Sequence, residues 1–327
     1  MSFTNVLRVL AGSFGISLAT LAGLLYLYQS ALIYPSSFPE GSRTIVDSPE
    51  AYHLPFTEHR LVTPDKVRLH VYAITHEDEK PRATILMLHA NAGNMGHRLP
   101  IARVFYRRLD CNVVMLSYRG YGLSTGQPSE PGIRVDAQTV LDWIREHPVL
   151  AGTKVIVYGQ SIGGAVSIDL AARNPHTVRG AVVENTFLSI PKLIPSVVPF
   201  LRYFSFLCRE IWPSEHSITR IHANTPVLFL SGQADELVPP SHMQQLYHLC
   251  PSTNKEIHLF PQGTHSMYRT LTPDDTWLQS NYFDLILAFA IKNGWLSHPL
   301  LDAVDAVPEA SKEQIDDEKD DERASLL

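Results

Sequence analysis

The sequence predicts an α/β domain, a mostly parallel sheet with helices on both faces, and three observations predict it. Short runs rich in Val, Ile and Leu, without clean two-residue alternation, are separated by helical patterns, as strands buried on both faces require. The run Val155-Ile156-Val157-Tyr158-Gly159-Gln160-Ser161-Ile162-Gly163-Gly164 reads as strand, sharp turn and helix. The 327 residues have room for one such domain of roughly 250 residues plus appendages.

The elements follow in order. No charged residue occurs between Arg8 and Glu40, and residues 9–33 are dominated by Leu, Ala, Ile, Gly and Phe. As a helix this stretch would measure about 37 Å, enough to cross a hydrocarbon core of about 30 Å with some tilt. Tyr26, Tyr28 and Tyr34 cluster near its end, where aromatic rings favour the membrane interface. The run exceeds the apolar region of a cleaved signal peptide, about 7–15 residues, and lacks the polar face of a soluble core helix. A single-pass membrane anchor is expected, in the endoplasmic reticulum or plasma membrane. Its orientation signals oppose one another. Arg8 before the span favours a cytosolic amino terminus, whereas residues 322–327 match an acidic-dileucine pattern that acts only in the cytosol.

Residues 34–52, rich in Pro and Ser, read as a tether, and 53–299 as the domain. Residues 57–63 and 67–74 form two strands joined at Pro64-Asp65-Lys66, and 83–88 a strand entering a Gly- and Asn-rich loop. Residues 97–109 are helical, 113–117 a strand, 132–146 a helix, 154–158 a strand and 162–173 a helix. Strands follow at 181–183, 227–230 and 256–260, with helices at 241–249 and 276–291. Residues 186–221 break the alternation with aromatic and apolar residues and no strand period, and read as a small cap over the site.

Residues 300–327 form an acidic tail whose apolar content is too low to offset ordering. Its stretch 309–323 holds eight acidic and three basic residues, five of the six net negative charges, so the remainder is near neutral and no basic nucleic-acid footprint appears. Three widely spaced cysteines and no Asn-x-Ser/Thr acceptor lean against an oxidising compartment.

In the glycine-flanked turn, Ser161 would present its hydroxyl at the apex, with the Ile162 N–H free to help form an oxyanion hole. Gly159 and Gly163 are read as positions where backbones nearly touch and a Cβ would not fit. A serine hydroxyl is a poor nucleophile without a histidine base oriented by a carboxylate. Asp235, on the loop after strand 227–230, is the acid expected, with Glu236 as alternate. His265, on the Gly263-containing loop after strand 256–260, is the base expected, and His258, inside that strand, the weaker candidate. The loop His89-Ala90-Asn91-Ala92-Gly93-Asn94 is assigned the second oxyanion donor, the Asn91 N–H, whose side chain need not matter. Taken singly, each motif also reads blandly: a glycine-rich turn, a turn aspartate, a loop histidine.

Together with Tyr118-Arg119-Gly120-Tyr121-Gly122, these segments resemble the serine α/β-hydrolases over roughly residues 5–295. The resemblance is closest to the single-pass membrane branch of fungal bud-emergence-type proteins and animal α/β-hydrolase-domain relatives. It implies an α/β-hydrolase fold with a small cap and a Ser161–His265–Asp235 triad. Related branches include depalmitoylases and lipid hydrolases, so acyl esters or thioesters of lipids or S-acylated proteins are the expected substrates. One departure is Ala90, where the family usually has glycine. A peptidase and a catalytically idle membrane scaffold are the alternatives. No P-loop, Rossmann fingerprint or metal cluster is present, so no cofactor is expected.

Overall fold

The computed structural model describes residues 2–78, 80–265 and 282–296. Helix α1 (Phe3–Ile33) leads into the domain. It is followed by β1 (Thr57–Val62), β2 (Arg68–Ile74), β3 (Thr84–Leu88), α2 (Leu99–Arg107), β4 (Asn112–Ser117), α3 (Glu130–Glu146), β5 (Val155–Gln160), α4 (Ile162–Arg173) and β6 (Val178–Glu184). Next come α5 (Ile190–Val197), a 3-10 helix (Pro199–Leu207) and α6 (Ser214–Ile218). The chain continues through β7 (Val227–Gly232), α7 (Pro240–Leu249), β8 (Lys255–Phe260) and α8 (Tyr282–Lys292).

The eight strands among the described residues form one sheet in the order β1-β2-β4-β3-β5-β6-β7-β8. The pairs β1/β2 and β2/β4 are antiparallel and the others parallel. Alternation along each strand feeds two cores. Leu86, Leu88 and Val157 pack on one face with Ile133 and Val140 of α3 and Met243 of α7. Ile85, Met87 and Ile156 pack on the other with Leu99 and Phe105 of α2 and Phe283 and Ile286 of α8. Each such side chain, fully buried, contributes about 1.5–3 kcal/mol, and this double-faced burial is why the strands lack a polar alternation.

Two sequence expectations change, and a third falls partly outside the described residues. Residues 97–109 are two elements, a 3-10 turn (Met95–Arg98) and α2. Of the helix expected at 276–291, residues 276–281 lie outside the described residues, as does the tail 300–327. Residues 34–52 are no free tether. Tyr34 is buried, Gly93 N donates to Phe38 O at 2.8 Å, and Asn94 Nδ2 donates to Ser42 O and Ile45 O at 2.9 and 2.8 Å. Arg43 Nη1 donates to Gly122 O at 3.0 Å. The segment is a strap bound to the loop after β3.

Helix α1 is docked to the cap at its last turn. Gln29 Nε2 donates to Leu207 O at 3.2 Å and Ser30 Oγ to Glu210 Oε1 at 3.0 Å. Tyr34 OH donates to Glu210 Oε2 at 2.7 Å and accepts from Trp212 Nε1 at 2.9 Å. Burial, and then the Glu210 carboxylate, hold the Tyr34 phenol protonated far above its ordinary range. The outer part of α1 contacts nothing comparable. Its most apolar 18-residue window is unburied, and the helix is long and apolar enough to cross a membrane.

Candidate active site

The turn from β5 into α4 places Ser161 at φ 56°, ψ -122°, a conformation costing about 1–3 kcal/mol for a residue with a side chain. Its backbone is pinned on both sides. Ser161 N donates to Glu184 O at 2.9 Å, and Thr186 Oγ1 donates to Ser161 O at 2.7 Å. A Cβ on Gly159 would sit 2.1 Å from Gly163 O, and one on Gly163 would sit 2.0 Å from Leu88 O. The second contact comes from the end of β3, so helix α4 is wedged between two strands at the serine.

The structure brings the expected acid and base together. His265 Nδ1 lies 2.9 Å from Asp235 Oδ2, and the Asp235 side chain is 1% exposed. Asp235 Oδ1 accepts from Leu237 N and Val238 N, both at 2.8 Å, which fixes the carboxylate against the imidazole. Such a pairing sets the tautomer, leaving Nε2 as the basic nitrogen. Glu236, the alternate acid, plays a different part: its Oε2 accepts the backbone N–H of His265 at 3.0 Å. His258 stays on the edge strand with its Nε2 3.4 Å from Glu256 Oε2.

Three positioning residues went unassigned in the sequence. Gln160 Nε2 donates to His265 O at 2.9 Å and to Glu184 Oε1 at 3.0 Å. Asn185 Nδ2 donates to Thr264 O and His265 O at 2.9 and 3.1 Å, while its Oδ1 accepts from Gly232 N at 2.8 Å. One amide thus ties the acid's strand to the histidine's loop. Asn185 has φ 44°, a conformation asparagine tolerates better than most residues, and that preference just after a strand was the available signal. Below them the buried Glu184 accepts from Tyr158 OH and Tyr282 OH at 2.8 and 2.6 Å, and burial raises its pKa.

His89 is the third. It is buried, with Nδ1 2.7 Å from Ala90 O, while Tyr118 N donates to its Nε2 at 3.3 Å. Those two contacts require a neutral ring with the proton on Nδ1, and burial pushes its pKa down to about 3. The ring therefore braces the turn that carries Asn91. Ala90 keeps a negative φ, so its methyl group imposes no backbone strain on the loop.

The backbone N–H groups of Asn91 and Ile162 have no hydrogen-bond acceptor among the described residues. Ile162 opens α4, where N–H groups are unpaired by construction and favour negative charge. The Asn91 side chain, expected to be dispensable, is engaged. Its Oδ1 accepts from Tyr121 OH at 2.7 Å, and its Nδ2 donates to Ile33 O at the end of α1.

Ser161, Asn91, Ile162 and His265 all line one cavity of about 520 Å³. Its walls are mainly apolar. Phe187, Ile194 and Val197 come from the cap, Leu201 and Phe204 from the 3-10 helix, and Leu25, Leu32 and Ile33 from α1. The arrangement brings a hydroxyl, an oriented imidazole and two N–H donors unpaired among the described residues into the lining of one apolar chamber.

A family model described as serine aminopeptidase, S33, matches residues 79–220 and 207–270. Protein bem46 of Schizosaccharomyces pombe is 48% identical over 292 residues, covering 88% of this chain and 94% of that protein. The membrane protein YNL320W of Saccharomyces cerevisiae is 41% identical over 281 residues, covering 86% and 94%. Among solved structures, the Pyrococcus furiosus esterase Pf2001 superposes with a TM-score of 0.63 at 17% identity, covering 78% of this chain and 97% of that one. The matched extent, the strand order and the serine turn agree: this chain belongs to the α/β-hydrolase family, alongside bem46.

Proposed function

We propose that this protein is a membrane-anchored serine hydrolase that cleaves long-chain acyl esters or thioesters of lipids or S-acylated proteins. One observation carries the reading: the Asp235-paired His265 and the strained Ser161 share an apolar cavity of about 520 Å³. In this reading His265 Nε2 takes the Ser161 proton as the hydroxyl attacks the acyl carbonyl. The oxyanion is received by the N–H groups of Asn91 and Ile162, each such donor lowering the barrier by about 3 kcal/mol. The imidazolium then protonates the leaving alkoxide or thiolate. Water, deprotonated by the same imidazole, releases the acid. Helix α1 anchors the domain to the bilayer, supported by its apolar length and by the similarity to YNL320W.

Acyl length is the sharpest discriminator, because each methylene buried in such a wall contributes about 0.8 kcal/mol. The test uses p-nitrophenyl esters from C2 to C12, below their micelle concentrations, with fluorophosphonate labelling as the check on the nucleophile. A rise in kcat/KM with chain length supports the proposal. A monotonic fall, or preference for an aminoacyl-nitroanilide, favours a small-ester hydrolase or a peptidase instead. No labelling of Ser161 would leave a scaffold role.

A further inference from the structure

The 3-10 helix Pro199–Leu207 has three residues per turn, so positions three apart stack on one face. Leu201, Phe204 and Leu207 line the cavity. Phe200, Tyr203 and Phe206 form a second face, and they are 68%, 65% and 79% exposed. A helix apolar on two of its three faces is out of place in water, where a cluster of exposed aromatic rings marks a contact surface.

Its neighbour indicates what the contact is. The helix ends against the last turns of α1, with Leu207 O accepting from Gln29 and Arg209 lying over the Tyr26 ring at 4.5 Å. Counted from Arg8, about 20 residues of α1 cross a hydrocarbon core, which ends near Tyr28. The exposed aromatic face therefore sits within about one helical turn of the bilayer edge, and Leu24, Leu27 and Tyr28 of α1 are themselves exposed. Arg202, stacked on Tyr203 at 4.6 Å, supplies a cation at the same level, the pairing found where headgroups begin.

We infer that the Phe200–Tyr203–Phe206 face is immersed in the lipid leaflet that the domain faces, and that the acyl chain enters the cavity sideways from that leaflet, between α1 and the 3-10 helix. Leu25 and Leu32 of α1 and Leu201 and Phe204 of the 3-10 helix all line the cavity that such a seam would open. The substrate class is then an acyl chain already resident in a membrane rather than a free ester. The inference rests on the reading of α1 as a membrane span and of the cavity as an acyl site.

The full chain in phosphatidylcholine vesicles tests it in two ways. Phe206→Trp adds an emitter to the four native tryptophans. Lipid brominated along the acyl chain should quench the added emission, whereas iodide should not. Quenching by iodide alone would overturn the inference, as would protection from both quenchers that appears only at high protein density, the sign of a second copy covering the face. In the second arm, the Phe200→Ser/Phe206→Ser variant should lose about tenfold in turnover of a bilayer-resident long-chain ester while keeping p-nitrophenyl butyrate hydrolysis within twofold. Equal loss on both substrates, or on neither, would overturn lateral entry. Absence of any esterase activity or fluorophosphonate labelling in the wild type refutes the proposed function instead, and the quenching arm then decides immersion alone.

Discussion

The side-chain amide of Asn91 bridges Tyr121 OH and the main-chain carbonyl of Ile33. The loop expected to receive the oxyanion is thereby tied to the last turn of the N-terminal helix. Helix and candidate site are linked through this one side chain.

Asn91→Ala keeps the backbone N–H but cuts both ties. A full oxyanion donor is worth on the order of 100- to 1,000-fold in kcat, so a loosened one should lose about 10- to 100-fold. Fluorophosphonate labelling should slow in parallel, and the two lost bonds should lower stability by about 1–3 kcal/mol. A variant with wild-type kcat would show that the side chain is idle.

Ser161→Ala should remove labelling by serine-directed probes and lower turnover on the order of a millionfold. The domain should stay folded, since alanine is no worse than serine at φ 56°. Persistent labelling would place the nucleophile elsewhere.

Asp235→Asn retains the hydrogen-bonding shape but favours the wrong imidazole tautomer. A loss of about 10,000-fold in kcat is expected, with the activity regained only weakly at high pH. A loss under tenfold would mean that Glu236 or another carboxylate orients the ring.

Tyr34→Phe removes one hydroxyl from the buried set Tyr34, Glu210 and Trp212. Leaving those partners unsatisfied should cost about 1–3 kcal/mol, read as a lower urea midpoint at constant slope. A chain truncated to begin at Phe38 loses the whole set and should be less stable still. An unchanged midpoint in both would show that the docked helix adds nothing to the fold.

The His89 pKa of about 3 lies below that of an unfolded histidine, about 6.5. Between those values the unfolded chain binds more protons, so stability falls as pH drops through this window. Urea midpoints at pH 7, 6, 5 and 4 should decline more steeply for the wild type than for His89→Gln. Parallel curves would mean that the ring is not held neutral.

The sheet was legible in the sequence because burial on both faces leaves uninterrupted apolar runs. Its strand ends were not. Gly159 and Gln160 look like turn residues, yet they remain paired with Val183 and Glu184. Asp235 beside His265 was readable from order along the chain, since the fold places each loop after its strand. The strap at 34–52 was not legible because several bonds to it are accepted by the main-chain carbonyls of Phe38, Ser42 and Ile45, which any residue would offer, and its Tyr34 and Arg43 donate to partners far along the chain. Asn185 and Gln160 escaped notice for a related reason: they act on the backbone of the histidine loop rather than on its ring.

The clamp of Tyr34 by Glu210 and Trp212 has a geometric consequence. A domain on a loose stalk samples every height and tilt above a bilayer. If α1 spans the bilayer as proposed, a domain locked to its final turn would hold Ser161 at a single elevation. Under the proposed function the protein would act as a ruler: an acyl bond would be cut where it lies at the height of Ser161, and bonds buried deeper or carried farther out would pass untouched.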